Sequence, residues 1–288
     1  MRFRRTKAIG VTGAPAAFHL PGGAGPLFAV ARGPWPASAG RPAVLMLPPF
    51  AEEMNRSRRL MAQTAMALAA RGVASLVCDL YGTGDSSGDF ADARWSIWHE
   101  DASRALAWMR AQGADAVSVL AIRLGALLAL DIADACQRLY LLAPQLDGRQ
   151  AMRQFLRVRV AADMERGMRG GAPGPSLADC QAMLAAGQVC EVAGYGLSGA
   201  LHDAIAQRHA REHALGDHQA VHLLALAASG DPAVTRQAAL LQASGAPVTV
   251  HHLTGPPVWQ QIEPASAGDL AEAVAALIAA RESGGDGH

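Results

Sequence analysis

Short apolar runs alternate with longer amphipathic runs from about residue 26 to residue 144, and no other feature of the sequence limits the fold so strongly. Most of the short runs are rich in leucine, valine or alanine, and polar or Gly/Pro-containing loops follow them. This alternation is typical of βαβ units that build a parallel sheet. We predict strands over residues 26–32, 43–47, 74–80, 116–121 and 138–143, and helices over residues 57–71, 95–112 and 125–136.

The strand pattern disappears at residue 145 and returns only near residue 221. The intervening segment is rich in Met, Arg and Ala at helical spacing and contains a loose Gly/Pro stretch over residues 167–175. Strands are predicted again over residues 221–228 and 247–253, with helices over residues 234–243 and 267–281. We therefore predict an α/β protein with a mostly parallel central sheet and helices on both faces. Its core comprises residues 1–144 and 221–288, and residues 145–220 form a helical cap insertion.

The composition favours one large folded unit that binds a small molecule or a protein. The chain has 288 residues, of which 51% are hydrophobic, and this is enough to bury a substantial core. Lysine plus arginine and aspartate plus glutamate are equal, at 25 each. No net field therefore attracts the whole protein to nucleic acid or to an anionic membrane.

The cysteines and the chain start predict a reduced, cytoplasmic protein without a cofactor. Cys78, Cys136, Cys180 and Cys190 form no CxxC pair and no His/Cys cluster, so we expect no metal site and no disulfide framework. The basic start is not followed by the continuous apolar stretch of a signal peptide. No run of 18 apolar residues is present, so we expect no membrane insertion.

A glycine-rich turn follows the strand predicted over residues 74–80. In an open parallel sheet, functional residues lie in the loops at the carboxyl ends of the strands. Here the sequence Asp79-Leu80-Tyr81-Gly82-Thr83-Gly84-Asp85-Ser86 resembles the D-x-x-G-x-G-x-S turn of α/β-hydrolases. The resemblance implies the α/β-hydrolase fold. Asp85, Ser86 and Ser87 are expected to form the turn, because such side chains hydrogen-bond to nearby backbone.

An arginine stands where α/β-hydrolases place their nucleophile. The sequence Ala121-Ile122-Arg123-Leu124-Gly125 ends a predicted strand in the place of the G-x-S-x-G elbow. Small residues flank the central position, as the tight strand-to-helix turn requires. The guanidinium of Arg123 stays protonated, so it cannot attack a carbonyl carbon.

The other two triad positions give one acid and no histidine. The chain order of the triad in this fold is nucleophile, acid, histidine. Asp231 lies in the loop that should carry the acid, and Pro257 stands at the expected histidine position before Trp259. Proline can neither accept nor donate a proton. His251 and His252 lie upstream, inside a predicted strand, where alternation sends one to each face.

Four segments together resemble one family of the superfamily. They are PPFAEEMNRSRR, AIRLGALLALDIA, APQLDGRQAMRQFLRVRVAADM and AGYGLSGAL, at residues 48–59, 121–133, 143–164 and 193–201. With them, the chain from about Pro26 to Ala280 resembles the second type of exosortase A system-associated hydrolase. The resemblance implies a bacterial protein that accompanies exopolysaccharide production and the sorting of surface proteins.

Arg123 has two interpretations, which are compatible with each other. It could bind an anionic ligand beside the backbone N–H groups of a helix start, or form a buried ion pair with Glu52, Glu53 or Asp231. Glu52 and Glu53 are expected in the loop that supplies an oxyanion-hole N–H in active relatives, and they are weak candidates for a general acid or base. The predicted ligand-binding residues are Phe50, Ala51, Glu52, Glu53, Tyr81, Arg123, Leu124, Asp231, Pro257 and Trp259.

Two further patterns each have a structural and a functional interpretation. Trp95, Trp98, His99, Ala102 and Leu106 follow helical spacing and are expected in the core, the alternative being an aromatic ligand platform. The arginines of the cap form either a solvated helix face or a contact for an acidic glycan or protein. They are Arg149, Arg153, Arg157 and Arg159.

The sequence predicts a protein that lacks a working Ser-His-Asp triad and acts as a ligand-binding or accessory protein. Its expected partner is a small anionic molecule or a protein of the exopolysaccharide and exosortase pathway. The alternative is an esterase or thioesterase that uses a non-standard residue, such as Ser86, Ser118, Cys190 or His252.

Overall fold

The structure is a computed structural model that describes residues 14–35, 42–168, 175–217, 219–261 and 267–283. The strands within these residues are β1 (Ala16–Pro21), β2 (Pro26–Arg32), β3 (Ala43–Leu47), β4 (Ala74–Cys78), β5 (Val117–Ile122), β6 (Arg138–Leu142), β7 (Cys190–Val192), β8 (Tyr195–Leu197), β9 (Ala220–Ala225) and β10 (Val248–His252). The α-helices are α1 (Glu52–Ala70), α2 (Trp95–Ala111), α3 (Gly125–Asp131), α4 (Gly148–Met168), α5 (Leu177–Ala185), α6 (Gly199–Ala206), α7 (Pro232–Gln242) and α8 (Gly268–Ser283).

Eight strands form one sheet in the order β1-β2-β4-β3-β5-β6-β9-β10. β2 pairs antiparallel with β1 and β4, and the other ladders are parallel. All residues of β3, β5 and β6 are buried. Continuous apolar runs are expected of parallel strands that are covered on both faces, so the mostly parallel sheet predicted from the sequence is confirmed.

Helices cover both faces of the sheet. On one face, Trp98 and Leu106 of α2 and Leu127 of α3 pack into the larger part of the core. On the other face, Leu60 and Leu68 of α1 pack with apolar residues of α8. Trp95, Trp98, Ala102 and Leu106 are buried and His99 is exposed, as expected for a core stripe that continues onto a helix surface. No described helix is both long and apolar enough to cross a membrane.

The segment between β6 and β9 contributes no strand to the main sheet within the residues described. It contains α4, α5 and α6, which agrees with the predicted helical character. The hairpin of β7 and β8 was not predicted, and its strands pair only with each other. Each has three residues, which is too short for an alternating pattern to be visible.

Several predicted boundaries were wrong. β1 was not predicted, because an edge strand with most of its residues partly or fully exposed next to a Gly-rich turn has little apolar signal. α1 begins at Glu52, five residues before the predicted start, because it follows β3 after a tight turn at Ala51. α3 ends at Asp131 and continues as a short 3-10 turn. β4 and β9 end earlier than predicted, at Cys78 and Ala225.

Candidate functional site

The turn between β5 and α3 has the geometry of a nucleophile elbow. Arg123 has a φ of 54°, in the left-handed region that a non-glycine residue rarely adopts. Its N–H donates to the carbonyl of Leu142, and its own carbonyl accepts from the N–H of Gln145. A Cβ on Gly125 would lie 2.6 Å from the carbonyl oxygen of Pro48, so only glycine fits this approach of the turn to β3.

The Arg123 side chain is held on three sides. Its Nε and Nη2 donate to the two carboxylate oxygens of Glu53 at 3.2 and 3.3 Å, and its Nη1 donates to the carbonyl of Ala143 at 3.2 Å. The guanidinium carbon lies 5.4 Å from the ring centroid of Trp259, within cation–π distance. The ion pair expected from the sequence is therefore present, with Glu53 as the partner.

Glu53 lies in the first turn of α1 and not in a loop, which corrects the sequence analysis for both Glu52 and Glu53. An acidic side chain there is stabilised by the N–H groups and the dipole at the helix start. Burial raises the pKa of Glu53 above its usual 4.5, although Arg123 and then Arg56 oppose this increase. Glu52 forms a separate ion pair with Arg56 at 3.3 Å.

Strained backbone is concentrated around this turn. Four non-glycine residues have positive φ in the described part of the chain: Ala51, Arg123, Ala143 and Ala193. Ala51 follows β3 and Ala143 follows β6, so these two flank the elbow on neighbouring strand ends. Such residues persist only where the surroundings hold them, and they are frequent at functional sites.

A cavity of about 310 Å³ opens beside the Arg123–Glu53 pair, between the sheet and α4. We call it the main cavity. Phe50, Glu52, Glu53, Leu124 and Trp259 line it from the sheet side. Gln145, Gln154 and Gln260 add carboxamides, and Phe155 adds an aromatic surface. Arg123 itself lines an adjoining space of about 170 Å³, the elbow pocket, which shares Gln145 and Gln154 with the main cavity.

The structure does not bring all the predicted ligand-binding residues into these two spaces. Ala51 lines a small apolar cleft beneath the elbow, together with Phe50 and Leu124. Asp231 caps α7, where its carboxylate accepts from the N–H groups of Ala233 and Val234. Tyr81 donates its N–H to Asp101. Pro257 is exposed. Asp231, Tyr81 and Pro257 therefore lie outside the walls of the main cavity and the elbow pocket.

The histidines of β10 point to other partners. Nε2 of His251 lies 3.1 Å from Nδ1 of His222 on β9, and the ring of His222 stacks on Tyr140. Nδ1 of His252 lies 2.8 Å from the carbonyl of Ala227. Burial lowers the pKa of His251 below 6.5, with Arg281 and His252 acting in the same direction. Neither ring has a hydrogen bond to Arg123 or Asp231 among the described residues.

The alternative nucleophiles are all engaged elsewhere. The Ser86 hydroxyl accepts from the N–H of Phe28 and donates to the carbonyl of Asp79, so it holds the turn. The Ser118 hydroxyl donates to Glu282 of α8. Cys190 is buried, and burial together with Cys180 raises its pKa to about 11, so its thiol stays protonated at neutral pH. In the described part of the chain, no group of three His, Cys, Asp or Glu side chains could hold a metal ion.

Sequence reasoning missed two features of the site, the positive φ at Ala51, Ala143 and Ala193 and the carboxamides of Gln145, Gln154 and Gln260. Alanine carries no signal of a left-handed conformation, so the first could not be predicted from the residues. The carboxamides had a weak signal, because Gln145 lies in the loop that follows the end of β6 at Leu142.

Solved structures of low sequence identity share the fold. Est1E from Butyrivibrio proteoclasticus, solved with ferulic acid, matches at a TM-score of 0.65 and 14% identity over 93% of this chain and 100% of its own. A putative hydrolase from Agrobacterium vitis matches at 0.56 and 20% identity over 93% and 98%. The bottromycin epimerase BotH, bound to bottromycin A2, matches at 0.54 and 16% identity over 92% and 98%. These matches confirm the α/β-hydrolase fold.

The sequence itself matches one family model over most of its length. Residues 33–267 match the model of the X-Pro dipeptidyl-peptidase family S15. No curated protein matches the chain. The matched residues include the glycine-rich turn, the elbow with Arg123, and the loop of Asp231, and they cover more than half of the chain. The protein therefore belongs to the X-Pro dipeptidyl-peptidase (S15) family of the α/β-hydrolase superfamily.

Proposed function

We propose that this protein binds an anionic ligand at the elbow and does not hydrolyse acyl bonds through a Ser-His-Asp triad. The observation that carries the proposal is the guanidinium of Arg123 at the tip of the elbow, beside a cavity. A guanidinium has five N–H donors, and three of them bond to Glu53 and Ala143 in the ligand-free protein. The remaining two give an anion its first contact, before it competes with Glu53 for the others. A carboxylate or phosphate accepts from such a pair.

In this proposal, the carboxylate of Glu53 takes up a proton when the ligand binds. A ligand anion competes with Glu53 for the guanidinium, and burial already raises the pKa of this carboxyl. Removal of the lowering effect of Arg123 raises that pKa further, so Glu53 takes up a proton as the anion binds. Trp259 keeps the guanidinium in place throughout, because the ring contacts it independently of Glu53. The binding reaction therefore gains a proton from solution.

We propose a cytoplasmic accessory role in exopolysaccharide production or surface-protein sorting. The support is the resemblance of residues 48–59, 121–133, 143–164 and 193–201 to the exosortase A system-associated hydrolases. The partner is then a small anionic molecule or a protein of that pathway. In this proposal, residues 145–220 act as a helical cap over a core of residues 1–144 and 221–288.

The test is a thermal-shift screen of carboxylates, phosphates and acidic sugars on the wild type and on Arg123→Met. We expect an anion that stabilises the wild type and not the variant, because a ligand bound only to the native state raises its stability by mass action. Arg59→Met is the matched control, since Arg59 is exposed on α1 and has no ion pair among the described residues. An equal shift in wild type and Arg123→Met excludes Arg123 as the anchor.

A second candidate is an esterase or thioesterase with a non-standard nucleophile, and family membership favours it. One similar structure is named for such chemistry, the thioesterase domain from the curacin biosynthetic pathway. It matches at a TM-score of 0.53 and 15% identity over 94% of this chain and 100% of its own. A fluorophosphonate probe separates the candidates. We expect no labelling, since loss of the triad serine or histidine lowers turnover by about a million-fold in subtilisin. Stoichiometric labelling of any serine contradicts the first proposal.

A further inference from the structure

Three arginines form a stripe along the exposed face of α4. Arg149, Arg153 and Arg157 are spaced four residues apart and all three are exposed. At 3.6 residues per turn, this spacing places them on one face of the helix. The adjoining flank of the helix packs into the protein through Met152 and Leu156, which are 1% and 0% exposed. The helix therefore presents three positive charges to solvent over about 12 Å.

This stripe lacks counter-charges within the protein. Among the described residues, none of the three arginines takes part in an ion pair, whereas Arg159 of the same helix pairs with Asp163 at 2.8 Å. Like charges four residues apart destabilise a helix. Two carboxylates line the clefts beside these arginines without an ion pair to them: Asp147 accepts from the N–H of Gln150, and Asp203 contacts His202. The three guanidinium groups are therefore available to an anion from outside.

Two clefts lie along the stripe, and we call them the cap clefts. One, of about 540 Å³, lies between α4 and helices α5 and α6, and the other, of about 400 Å³, lies on the side of Asp147. Arg149 and Arg153 line both. Carboxamides complete the walls: Gln181 and Gln207 in the first cleft, and Gln150 and Gln154 in the second.

The cap clefts continue into the elbow pocket. Asp147, Gln150 and Gln154 line both the second cap cleft and the pocket that contains Arg123. A path lined by arginines and glutamines therefore runs from the elbow to the end of the stripe. An extended ligand fits such a path better than a compact one, because separate anionic groups can contact successive arginines.

The geometry points to a linear acidic oligosaccharide as the ligand of the cap clefts. Repeated carboxylates along a sugar chain match the repeated arginines, and carboxamides both donate to and accept from sugar hydroxyls. Nucleic acid fits less well, because the described walls of the cap clefts contain no Trp, Tyr or Phe on which a base could stack. The second cap cleft adjoins the elbow pocket, but the inference rests on the arginines of α4 and does not depend on the function proposed for Arg123.

The test measures binding of galacturonate oligomers of two to eight units to the intact protein. We expect affinity to rise with chain length, to fall with added salt, and to fall by about tenfold in Arg149→Gln/Arg153→Gln. The control is Arg59→Gln/Arg236→Gln, which removes the same charge from exposed positions outside the clefts and is expected to bind within about twofold of the wild type. All four positions are exposed, so both variants should fold, and thermal melting verifies this.

Four results would overturn the inference. They are no binding of any oligomer at millimolar concentration, equal binding of neutral glucose oligomers, an equal loss in the control variant, and tighter binding of single-stranded DNA of matched charge. Arg123→Met separates the two proposals. If Arg123→Met still binds the oligomers but is no longer stabilised by the small anion, the inference about the cap clefts is supported and the two sites are independent.

Discussion

Arg123 is constrained through both its backbone and its side chain. A positive φ at a non-glycine residue costs on the order of 1–3 kcal/mol, which the surrounding structure must offset. The bonds to Leu142 and Gln145 fix the backbone, and the bonds to Glu53 and Ala143 fix the guanidinium. Lysine cannot replace this arrangement, because an ammonium lacks the planar fork that binds both oxygens of Glu53.

The first prediction concerns the ion pair. Arg123→Met leaves Glu53, 28% exposed, without its partner, and we expect a loss of roughly 2 kcal/mol in the free energy of unfolding. Glu53→Gln in the same chain should recover much of this loss, because the uncompensated charge is then absent. Urea unfolding of the wild type, both single variants and the double variant at pH 7 gives the coupling energy. Additive losses would show that the two side chains do not stabilise each other.

A second prediction at this position follows from the pKa of Glu53. If an anion displaces Glu53 from Arg123, binding takes up a proton, so affinity falls as the pH rises above the pKa of Glu53 in the free protein. Titration calorimetry in two buffers of different ionisation enthalpy measures the proton uptake. In Glu53→Gln we expect none. Proton release on binding, or the same uptake in Glu53→Gln, contradicts the exchange.

At the scale of elements, the end of α8 is fastened to the sheet by one buried carboxylate. The side chain of Glu282 is 2% exposed. It accepts from the hydroxyls of Ser118 on β5 and Tyr140 on β6, at 2.6 and 2.8 Å, and from Arg138 at 3.4 Å. Burial and Glu282 raise the pKa of Tyr140, so this phenol remains a donor. The last helix thus closes one face of the core through this cluster.

The prediction for this helix is a large loss of stability in Glu282→Ala. The change leaves two buried hydroxyls without their shared acceptor and removes one acceptor of Arg138, and we expect a cost of about 3 kcal/mol. Glu272→Ala on the same helix is the control, because its pair with Arg71 is 58% exposed on the glutamate side and contributes about 1 kcal/mol or less. Chemical denaturation gives the free energy of unfolding of both variants. Equal losses in the two variants would contradict a special role of Glu282.

The elements differ in how much of them the sequence could predict. β3, β5 and β6 are buried throughout and mostly apolar, and they were predicted well, because burial on both faces leaves a strong local pattern. The ion pair of Arg123 with a carboxylate was predictable from the sequence, because the elbow and the end of β3 lie on adjacent strands. The contact between Ser118 and Glu282 joins residues 164 positions apart, and no local pattern marks it. The hairpin of β7 and β8 was not predicted, because strands of three residues are too short to show an alternating pattern.

At the scale of the whole molecule, the segment between β6 and β9 is joined to the rest by a cluster around Asp131 at the end of α3. Its carboxylate accepts from Trp95 of α2 and from Arg208, which follows α6. The guanidinium of Arg208 also lies 4.7 Å from the centroid of the Trp95 ring. Nε2 of His213 lies 3.5 Å from the same carboxylate. Protonation of this histidine would therefore occur at a joint between the two parts of the chain.

The last prediction is that two histidines lower the stability of the protein on mild acidification, whereas the raised pKa of Glu53 acts in the opposite direction. Burial lowers the pKa of His213, although Asp131 opposes this, and burial also lowers that of His251, both from 6.5. The unfolded chain therefore binds protons at these two histidines more readily than the folded protein does. The contribution of the two neutral histidines to stability is fully present above pH 6.5, and it is lost as the pH falls from 6.5 through their lowered pKa values. Unfolding free energies measured by urea denaturation from about pH 8 to about pH 5 should show this slope. His213→Gln and His251→Gln should each flatten it, whereas His99→Gln, at an exposed position of α2, should retain it. A wild-type slope that neither His213→Gln nor His251→Gln changes would assign the acid sensitivity to other groups.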